Sequence, residues 1–365
     1  MGKRLVEMFC EMVRIDSESG DEACFLQYLK ELIEREVQAH CLFDSYGNLI
    51  ARVPQKASSS NQAILLVAHA DTVKPGQGIE PIIENGIIRS AGETILGADD
   101  KAGIAEIIEA VRAAKKHPPV EIVITRQEET GLLGAKNLDI SMLEAKQGFV
   151  VDFRKLNAIV VGGPTYIAID IDIKGKAAHA GMEPEEGISA IRVAAEAIAR
   201  IPEGRIDEET TANVGTIHGG MVRNSVPERA AILAECRSLD HNKCLRQAAI
   251  VKRTFEEEAE KAGAKVDVQL RVDFRATRIP ENAPVVRLAE KAITTAGLEP
   301  ESQVINGGTD AFILTERGIE SVVIGSGSQG SHTTEECIAI SDMEKATEII
   351  RQLLYLSTSD LDAVL

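Results

Sequence analysis

Three short stretches of the sequence carry side chains that could do chemistry together. They are His69-Ala70-Asp71, Asp99-Asp100-Lys101 and Glu128-Glu129. The first and the last follow the apolar, strand-like runs at 63–68 and 120–125, and the middle one opens a predicted helix. In an open α/β sheet, the carboxyl ends of strands and the starts of the following helices line the ligand crevice. A histidine and several carboxylates gathered there indicate a divalent metal centre.

Each stretch also has a simpler structural interpretation when it is taken alone. His69 and Asp71 share one face of an extended backbone, so one could bind a metal while the other holds the imidazole, or both could lie in a polar loop. Aspartate is a preferred N-cap, so the pair at 99–100 could serve only to begin a helix. One of the adjacent carboxylates at 128 and 129 could bind a metal while the other takes a proton, or the pair could form a solvated helix start.

The joint placement of these residues favours one shared site. Asp152 follows a further strand-like segment, and His332 follows the predicted strand at 321–324. Two histidines and three carboxylates suit a pair of zinc ions with one bridging carboxylate. Such a pair polarises a carbonyl group and generates a hydroxide nucleophile at neutral pH. The sequence contains no Gly-x-Ser-x-Gly motif that would support serine chemistry instead.

Hydrophobic periodicity predicts the elements that must position these residues. The first half alternates strands with helices, which implies a largely parallel sheet; its predicted elements are helices over 4–14, 21–39 and 99–116 and strands over 63–68, 120–125 and 148–151. After Gly162-Gly163-Pro164, isoleucines at every second position from Ile167 to Ile173 predict a half-exposed antiparallel strand. We therefore predict a discontinuous catalytic domain, 1–164 and 277–365, with an α+β domain inserted at 165–276.

Composition restricts the partners. The net charge of −17 argues against a nucleic-acid surface, because phosphate binding requires clustered Lys and Arg. No apolar run approaches the roughly 20 residues that span a bilayer, so we expect no membrane segment. The six cysteines form no Cys-x-x-Cys pair, which predicts a cytoplasmic protein with reduced thiols.

Four segments, taken in order, resemble the peptidase T branch of the co-catalytic zinc exopeptidases; they are Val67–Val73, Ile95–Gly103, Glu128-Glu129 and Ser331-His332-Thr333. The resemblance covers nearly the whole chain. It implies an α/β dizinc exopeptidase domain, whose mixed, largely parallel sheet is flanked by helices, with an inserted α+β lid and dimerisation domain. It also implies a cis peptide bond between Asp99 and Asp100.

The resemblance implies a role for each site residue around two Zn²⁺ ions, which Co²⁺ or Mn²⁺ could replace. Asp99 would bridge both metals, His69 and Asp152 would complete one zinc site, and Glu129 and His332 would complete the other. Glu128 would be the general base, and Asp71 would orient His69.

Further residues match substrate-contacting positions of the family. His179 matches a lid histidine that helps to stabilise the tetrahedral intermediate. Asn224 and Arg237 match residues that hold the substrate, the arginine by pairing with a carboxylate. Gly308 and Asp310 lie in a glycine-rich turn that resembles a substrate-contacting loop. A surface-strand position for Arg237 and a turn-forming role for Asp310 stay open as alternatives.

The implied activity is the removal of the N-terminal residue from short peptides, as in a tripeptidase, by a bridging zinc-bound hydroxide with Glu128 as general base. The alternative is a dipeptidase, or an amidohydrolase acting on N-acyl amino acids, with the same dizinc site. The complete ligand set and Glu128 argue against a non-catalytic relative. The expected partners are a short peptide substrate and a second copy of the chain, bound through the inserted domain.

Overall fold

The computed structural model describes residues 2–358 and divides the chain into two compact units. The first unit comprises the residues up to 162, residues 278–304 and the residues from 309 onward. The second comprises residues 163–277 together with 305–308. Within residues 2–358, no helix has the length and apolar character needed to cross a membrane.

The helices of the described chain are α1 (Gly2–Val13), α2 (Ala23–Val37), α3 (Ala98–Ala113), α4 (Leu133–Asn137), α5 (Ala190–Ile198), α6 (His241–Ala262), α7 (Pro284–Thr295), α8 (Asp310–Glu316) and α9 (Ile340–Leu356). The strands are β1 (His40–Phe43), β2 (Leu49–Val53), β3 (Ile64–His69), β4 (Pro81–Glu84), β5 (Ile87–Ser90), β6 (Val120–Thr125), β7 (Gln147–Val151), β8 (Ala158–Gly163), β9 (Thr165–Lys174), β10 (Gly204–Arg205), β11 (Thr210–Gly219), β12 (Arg229–Ser238), β13 (Lys265–Phe274), β14 (Thr277–Arg278), β15 (Glu301–Val304), β16 (Glu320–Ile324) and β17 (Cys337–Ala339).

The large sheet of the first unit has the strand order β1-β2-β6-β3-β7-β16-β8-β14, with β15 paired to β8. Its centre, β6-β3-β7-β16, is parallel throughout. Every residue of β3 and β6 is buried, because helices cover both faces of a parallel sheet and each strand can therefore be a continuous apolar run. This architecture confirms the predicted α/β class with a mixed, largely parallel sheet.

Helix α3 lies against α1, α9 and β3, and its first turn is irregular. Asp99 and Asp100 have non-helical dihedral angles, the peptide bond between them is cis, as the resemblance implies, and Gly97 before them is left-handed with φ 73°. The prediction that this helix extends to residue 116 is wrong. The chain leaves the helix after Ala113, and His117 pairs with Lys56 through two main-chain hydrogen bonds of 2.9 and 3.0 Å.

The second unit is a five-stranded sheet of order β10-β11-β12-β9-β13, with α5 and α6 packed against it. The neighbours of β9, which are β12 and β13, are both antiparallel to it. The isoleucines from Ile167 to Ile173 are buried in a core that also includes Val193 of α5 and Phe255 of α6. The period-two pattern of β9 therefore reflects a sheet with one face covered by helices.

Candidate metal centre

His69 is buried at the last position of β3, directly opposite Thr125 at the end of β6. Its Nε2 atom lies 3.0 Å from Oδ1 of Asp99. Its Nδ1 atom lies 2.9 Å from the main-chain carbonyl oxygen of Asp71, whereas the Asp71 carboxylate is 3.5 Å away. The short contact that fixes the ring is therefore made by the Asp71 carbonyl, and the carboxylate is a more distant neighbour.

The Asp71 carboxylate holds the segment that follows β6. Its Oδ1 accepts a hydrogen bond of 2.9 Å from the main-chain N–H of Glu128. Its Oδ2 accepts one of 3.2 Å from the N–H of Glu129 and one of 2.7 Å from the hydroxyl of Ser19. Asp71 thus connects the histidine of one strand end with the glutamate pair of the next.

Asp99 lies between the two imidazoles. In addition to the contact with His69, its Oδ2 is 3.7 Å from Nε2 of His332. The same Nε2 atom is 2.8 Å from Oε1 of Glu129. A chain of alternating imidazoles and carboxylates therefore runs from His69 through Asp99 to His332 and Glu129.

Two groups of side chains bring their donor atoms close enough to hold a cation. One donor atom each from His69, Asp99 and Glu129 lie within 4.8 Å of one another, and the same is true of His69, Asp100 and Asp152. Asp152 follows β7, and its main-chain N–H donates to the carbonyl of Ile324 at the end of β16. Imidazole nitrogens and carboxylate oxygens are the ligands that zinc takes at catalytic sites, so these residues fit a metal pair.

Asp100 has a position that its sequence neighbourhood did not reveal. It is fully buried, and its Oδ2 lies 3.3 Å from the main-chain N–H of His69, which donates to it. Among residues 2–358, no hydrogen-bond partner reaches its Oδ1. An aspartate at this position is more than a helix cap, because it packs directly beneath the histidine.

Burial and mutual repulsion set the protonation of the acidic groups. Burial raises the pKa of Glu128 well above its usual range, and the nearby Asp310, Asp152 and Glu129 raise it further. Burial, with Asp99 close by, does the same for Asp152. Burial disfavours the protonated form of His69, but its contacts with Asp71 and Asp99 favour that form and raise its pKa well above the usual value. A divalent cation held among these acids would favour their ionised forms.

Asp310 lies in the first unit as the first residue of α8, so it does not belong to the turn before it. Its Oδ2 accepts a hydrogen bond of 2.6 Å from the hydroxyl of Thr125, at the end of β6. Burial raises the pKa of Asp310 to about 6. Asp310 thus lies at the end of β6, close enough to Glu128 to raise the pKa of that glutamate.

Several residues that hold the Glu128 segment were missed from the sequence. The amide oxygen of Asn48 accepts a hydrogen bond of 3.1 Å from the N–H of Arg126, and the Arg126 guanidinium donates to the buried Glu22 carboxylate at 2.8 and 3.0 Å. The hydroxyl of Tyr46 donates to the side chain of Gln127 at 2.6 Å. Nothing in the sequence around Tyr46 and Asn48 indicates which later loop these residues hold.

The remaining candidate residues belong to the second unit. His179 is exposed, and its Nδ1 accepts from the N–H of Gly181 at 3.2 Å; the carbonyl of Asn224, also exposed, accepts from the N–H of Ala180 at 3.0 Å. Arg237 donates twice to the carboxylate of Glu235, at 3.0 Å each, and lies over the ring of Tyr166. A further Arg237 hydrogen bond of 2.9 Å reaches the carbonyl of Asn306, in the short segment that also contains Gly308.

Comparison with known proteins identifies relatives over the full length of the chain. The sequence model of peptidase family M20/M25/M40 matches residues 65–356. The chain is 40% identical over 360 residues to an uncharacterized protein of Bacillus subtilis strain 168, YqjE, covering 95% of this chain and 96% of that one. The crystal structure of aminopeptidase PepT from Bacillus cereus ATCC 10987 superposes with a TM-score of 0.87 at 39% identity, over 97% of this chain and 98% of that one. A tripeptidase from Staphylococcus aureus Mu50 superposes with a TM-score of 0.92 at 34% identity, over 98% and 99% of the two chains.

Proposed function

The chain belongs to peptidase family M20/M25/M40 and is a hydrolase, and from this premise we propose that it is a metal-dependent aminopeptidase that removes the N-terminal residue from tripeptides. The names of two full-length structural relatives, an aminopeptidase and a tripeptidase, support this choice of substrate class. The dipeptidase and N-acyl-amino-acid amidohydrolase alternatives would use the same site, so the substrate test below separates them.

The observation that carries the proposal is the position of Asp99 between two imidazoles, 3.0 Å from His69 and 3.7 Å from His332. We propose that its carboxylate would bridge the two ions of a metal pair. His69 and Asp152 would complete the first site, and Glu129 and His332 the second. Zinc fits this mixture of imidazole and carboxylate ligands, and Co²⁺ or Mn²⁺ could take its place. When bound, the metal pair polarises the peptide carbonyl and lowers the pKa of water.

Glu128 is proposed as the general base. Its carboxylate would take a proton from the attacking water and deliver it to the leaving amine as the C–N bond breaks, so that the proton balance closes on one residue. The Asp71 carboxylate supports this role because it accepts the main-chain N–H of Glu128 and thereby fixes the start of the glutamate pair.

The second unit is proposed to act as lid and dimerisation domain. His179 would stabilise the tetrahedral intermediate, and Asn224, Arg237 and Gly308 would hold the peptide. The Arg237 guanidinium, which lies over the ring of Tyr166 and pairs with Glu235, would supply the positive charge that holds a peptide carboxylate. We further propose a homodimer formed through this unit, and a cytoplasmic location, which six free cysteines support.

A panel of substrates tests the activity together with the base. Zinc-loaded protein is given dialanine, trialanine, tetraalanine and N-acetylalanine, and the Glu128→Gln variant is compared with Glu93→Gln, a change at an exposed glutamate. We expect trialanine to be the best substrate, and Glu128→Gln to keep its zinc while turnover falls by about 10² or more. Unchanged turnover in that variant would rule out Glu128 as the base. Preferred hydrolysis of dialanine or of N-acetylalanine would instead establish the corresponding alternative.

A further inference from the structure

Glu336 is a buried acid outside the proposed ligand set, and its carboxylate collects three main-chain N–H groups. Its Oε2 accepts hydrogen bonds from Leu96 at 2.8 Å and from Gly97 at 2.7 Å, and its Oε1 accepts one from Asp99 at 2.9 Å. The residue is only 1% exposed. These three donors are the segment that leads into, and includes, the proposed bridging residue.

This segment has few other hydrogen bonds to hold it. The first N–H groups of any helix have no acceptor within the helix, and a carboxylate placed there satisfies them and complements the helix dipole. In α3 the shortage is greater, because Asp99 and Asp100 are not helical and the N–H of Lys101 reaches the carbonyl of Gly97 only at 3.4 Å. The Glu336 carboxylate therefore replaces the regular helical contacts that the irregular first turn lacks.

The same side chain belongs to the loop that carries His332. This loop is closed by two main-chain hydrogen bonds of 2.9 Å between Gln329 and Cys337, and the N–H of Glu336 donates to the carbonyl of Thr333 at 3.2 Å. His332 itself is left-handed, with φ 66°. Glu336 thus connects the loop that carries His332, which is closed by Gln329 and Cys337, to the segment that carries Asp99.

We propose that Glu336 is a positioning residue that sets the separation of Asp99 and His332, and so preorganises the metal pair before any metal binds. The inference rests on the proposed function, because it takes Asp99 and His332 as ligands. Groups that orient metal ligands typically change metal affinity about 10- to 100-fold when they are replaced. Glu336 holds the main chain of Asp99, whose carboxylate faces both imidazoles. Its loss should therefore lower the affinity for both metals.

The test compares Glu336→Gln with Glu335→Gln, since Glu335 is the adjacent but exposed residue. The glutamine keeps the size of the side chain but places an amide NH₂ where one carboxylate oxygen accepts hydrogen bonds. Zinc binding is measured by calorimetry on metal-free protein, and the visible absorption of the cobalt-loaded protein reports the coordination geometry. We expect zinc affinity to fall about 10- to 100-fold in Glu336→Gln, the cobalt spectrum to change, and kcat to fall more than KM at saturating zinc. Glu335→Gln should match the wild type in all three.

Wild-type affinity and an unchanged cobalt spectrum in a folded Glu336→Gln protein would overturn the inference while leaving the proposed function intact. Failure of the wild type itself to bind zinc would overturn the proposed function instead. If Glu336→Gln does not fold, hydrogen exchange of the metal-free wild type decides. The inference predicts slow exchange at the amides of Leu96, Gly97 and Asp99 without metal, and fast exchange that slows only when zinc is added would contradict it.

Discussion

Replacing Asp71 by asparagine is the most informative single change near the site, because it keeps the shape of the side chain and alters one acceptor. The Asp71 carboxylate serves three donors with two oxygens, namely the N–H of Glu128, the N–H of Glu129 and the hydroxyl of Ser19. Asparagine converts one oxygen into an NH₂ donor. The Ser19 hydroxyl can turn to accept from it, but a main-chain N–H cannot. Whichever way the amide is oriented, one N–H of the glutamate pair loses its acceptor.

The magnitude follows from burial. Asp71 is fully buried, and a buried donor left without an acceptor costs about 1–3 kcal/mol. If this cost of about 1–3 kcal/mol is added to the activation free energy of hydrolysis, turnover falls about 5- to 150-fold, since each 1.36 kcal/mol is a factor of ten. Ser19→Ala removes only one neutral donor and leaves both main-chain contacts in place. Its expected effect is about 1 kcal/mol, or roughly fivefold.

The assay is steady-state hydrolysis of trialanine at saturating zinc, with kcat and KM determined separately for wild type, Asp71→Asn and Ser19→Ala. We expect the order wild type, Ser19→Ala, Asp71→Asn in decreasing kcat. Turnover of Asp71→Asn within twofold of the wild type would refute the argument that this carboxylate holds the base in place. A larger loss in Ser19→Ala than in Asp71→Asn would refute it too, because only Asp71→Asn deprives a main-chain N–H of its acceptor.

Two further predictions concern stability, both measured by thermal unfolding of metal-free protein. Burial and the nearby Asp342 raise the pKa of Glu106 well above its usual range, and in the described part of the chain neither of its carboxylate oxygens has a hydrogen-bond partner. The folded state therefore keeps a proton that the unfolded chain loses above about pH 4.3, and stability falls as pH rises, by up to about 1.4 kcal/mol per pH unit. Glu106→Gln should raise Tm more at pH 8 than at pH 5; an equal gain at both would contradict this. In Gly103→Ala the new Cβ would meet the Val151 carbonyl oxygen at 2.2 Å, so Tm should drop by roughly 2–12 °C. Gly92→Ala, with open space around its Cβ, should unfold like the wild type, and an equal Tm for the two variants would refute the packing argument.

The parts of the fold that could be predicted from the sequence are those elements whose own residues form a recognisable hydrophobic pattern. Strand β6 was predicted with its observed bounds, because a mostly apolar run between a Pro-Pro pair and a polar segment has one simple interpretation. The family resemblance is confirmed by the M20/M25/M40 match over residues 65–356. Strand β8 was missed because its Gly162-Gly163 end resembles a linker. Strands β15 and β17, with 4 and 3 residues, are too short for any periodicity, and form only because β8 and β5 are there to pair with them.

The candidate site divides in the same way. His69, Asp99, Glu129 and His332 could be found because they end or follow recognisable elements, and the structure brings them together. The residues that hold them could not, because Ser19, Asn48 and Glu336 are single polar residues in loops whose partners lie 52, 78 and 237 positions away. Nothing in the local sequence encodes such a separation. These contacts can be recognised only in the folded structure, where the sheet brings the loops to one edge.

The central claim is that a pair of metal ions held by these side chains performs the hydrolysis. The most direct measurement is a titration of metal-free protein with zinc while trialanine hydrolysis is followed. We expect no turnover without metal, and activity that rises to a plateau at about two zinc ions per chain. Full activity in the metal-free protein, or zinc binding that leaves the hydrolysis rate unchanged, would contradict it.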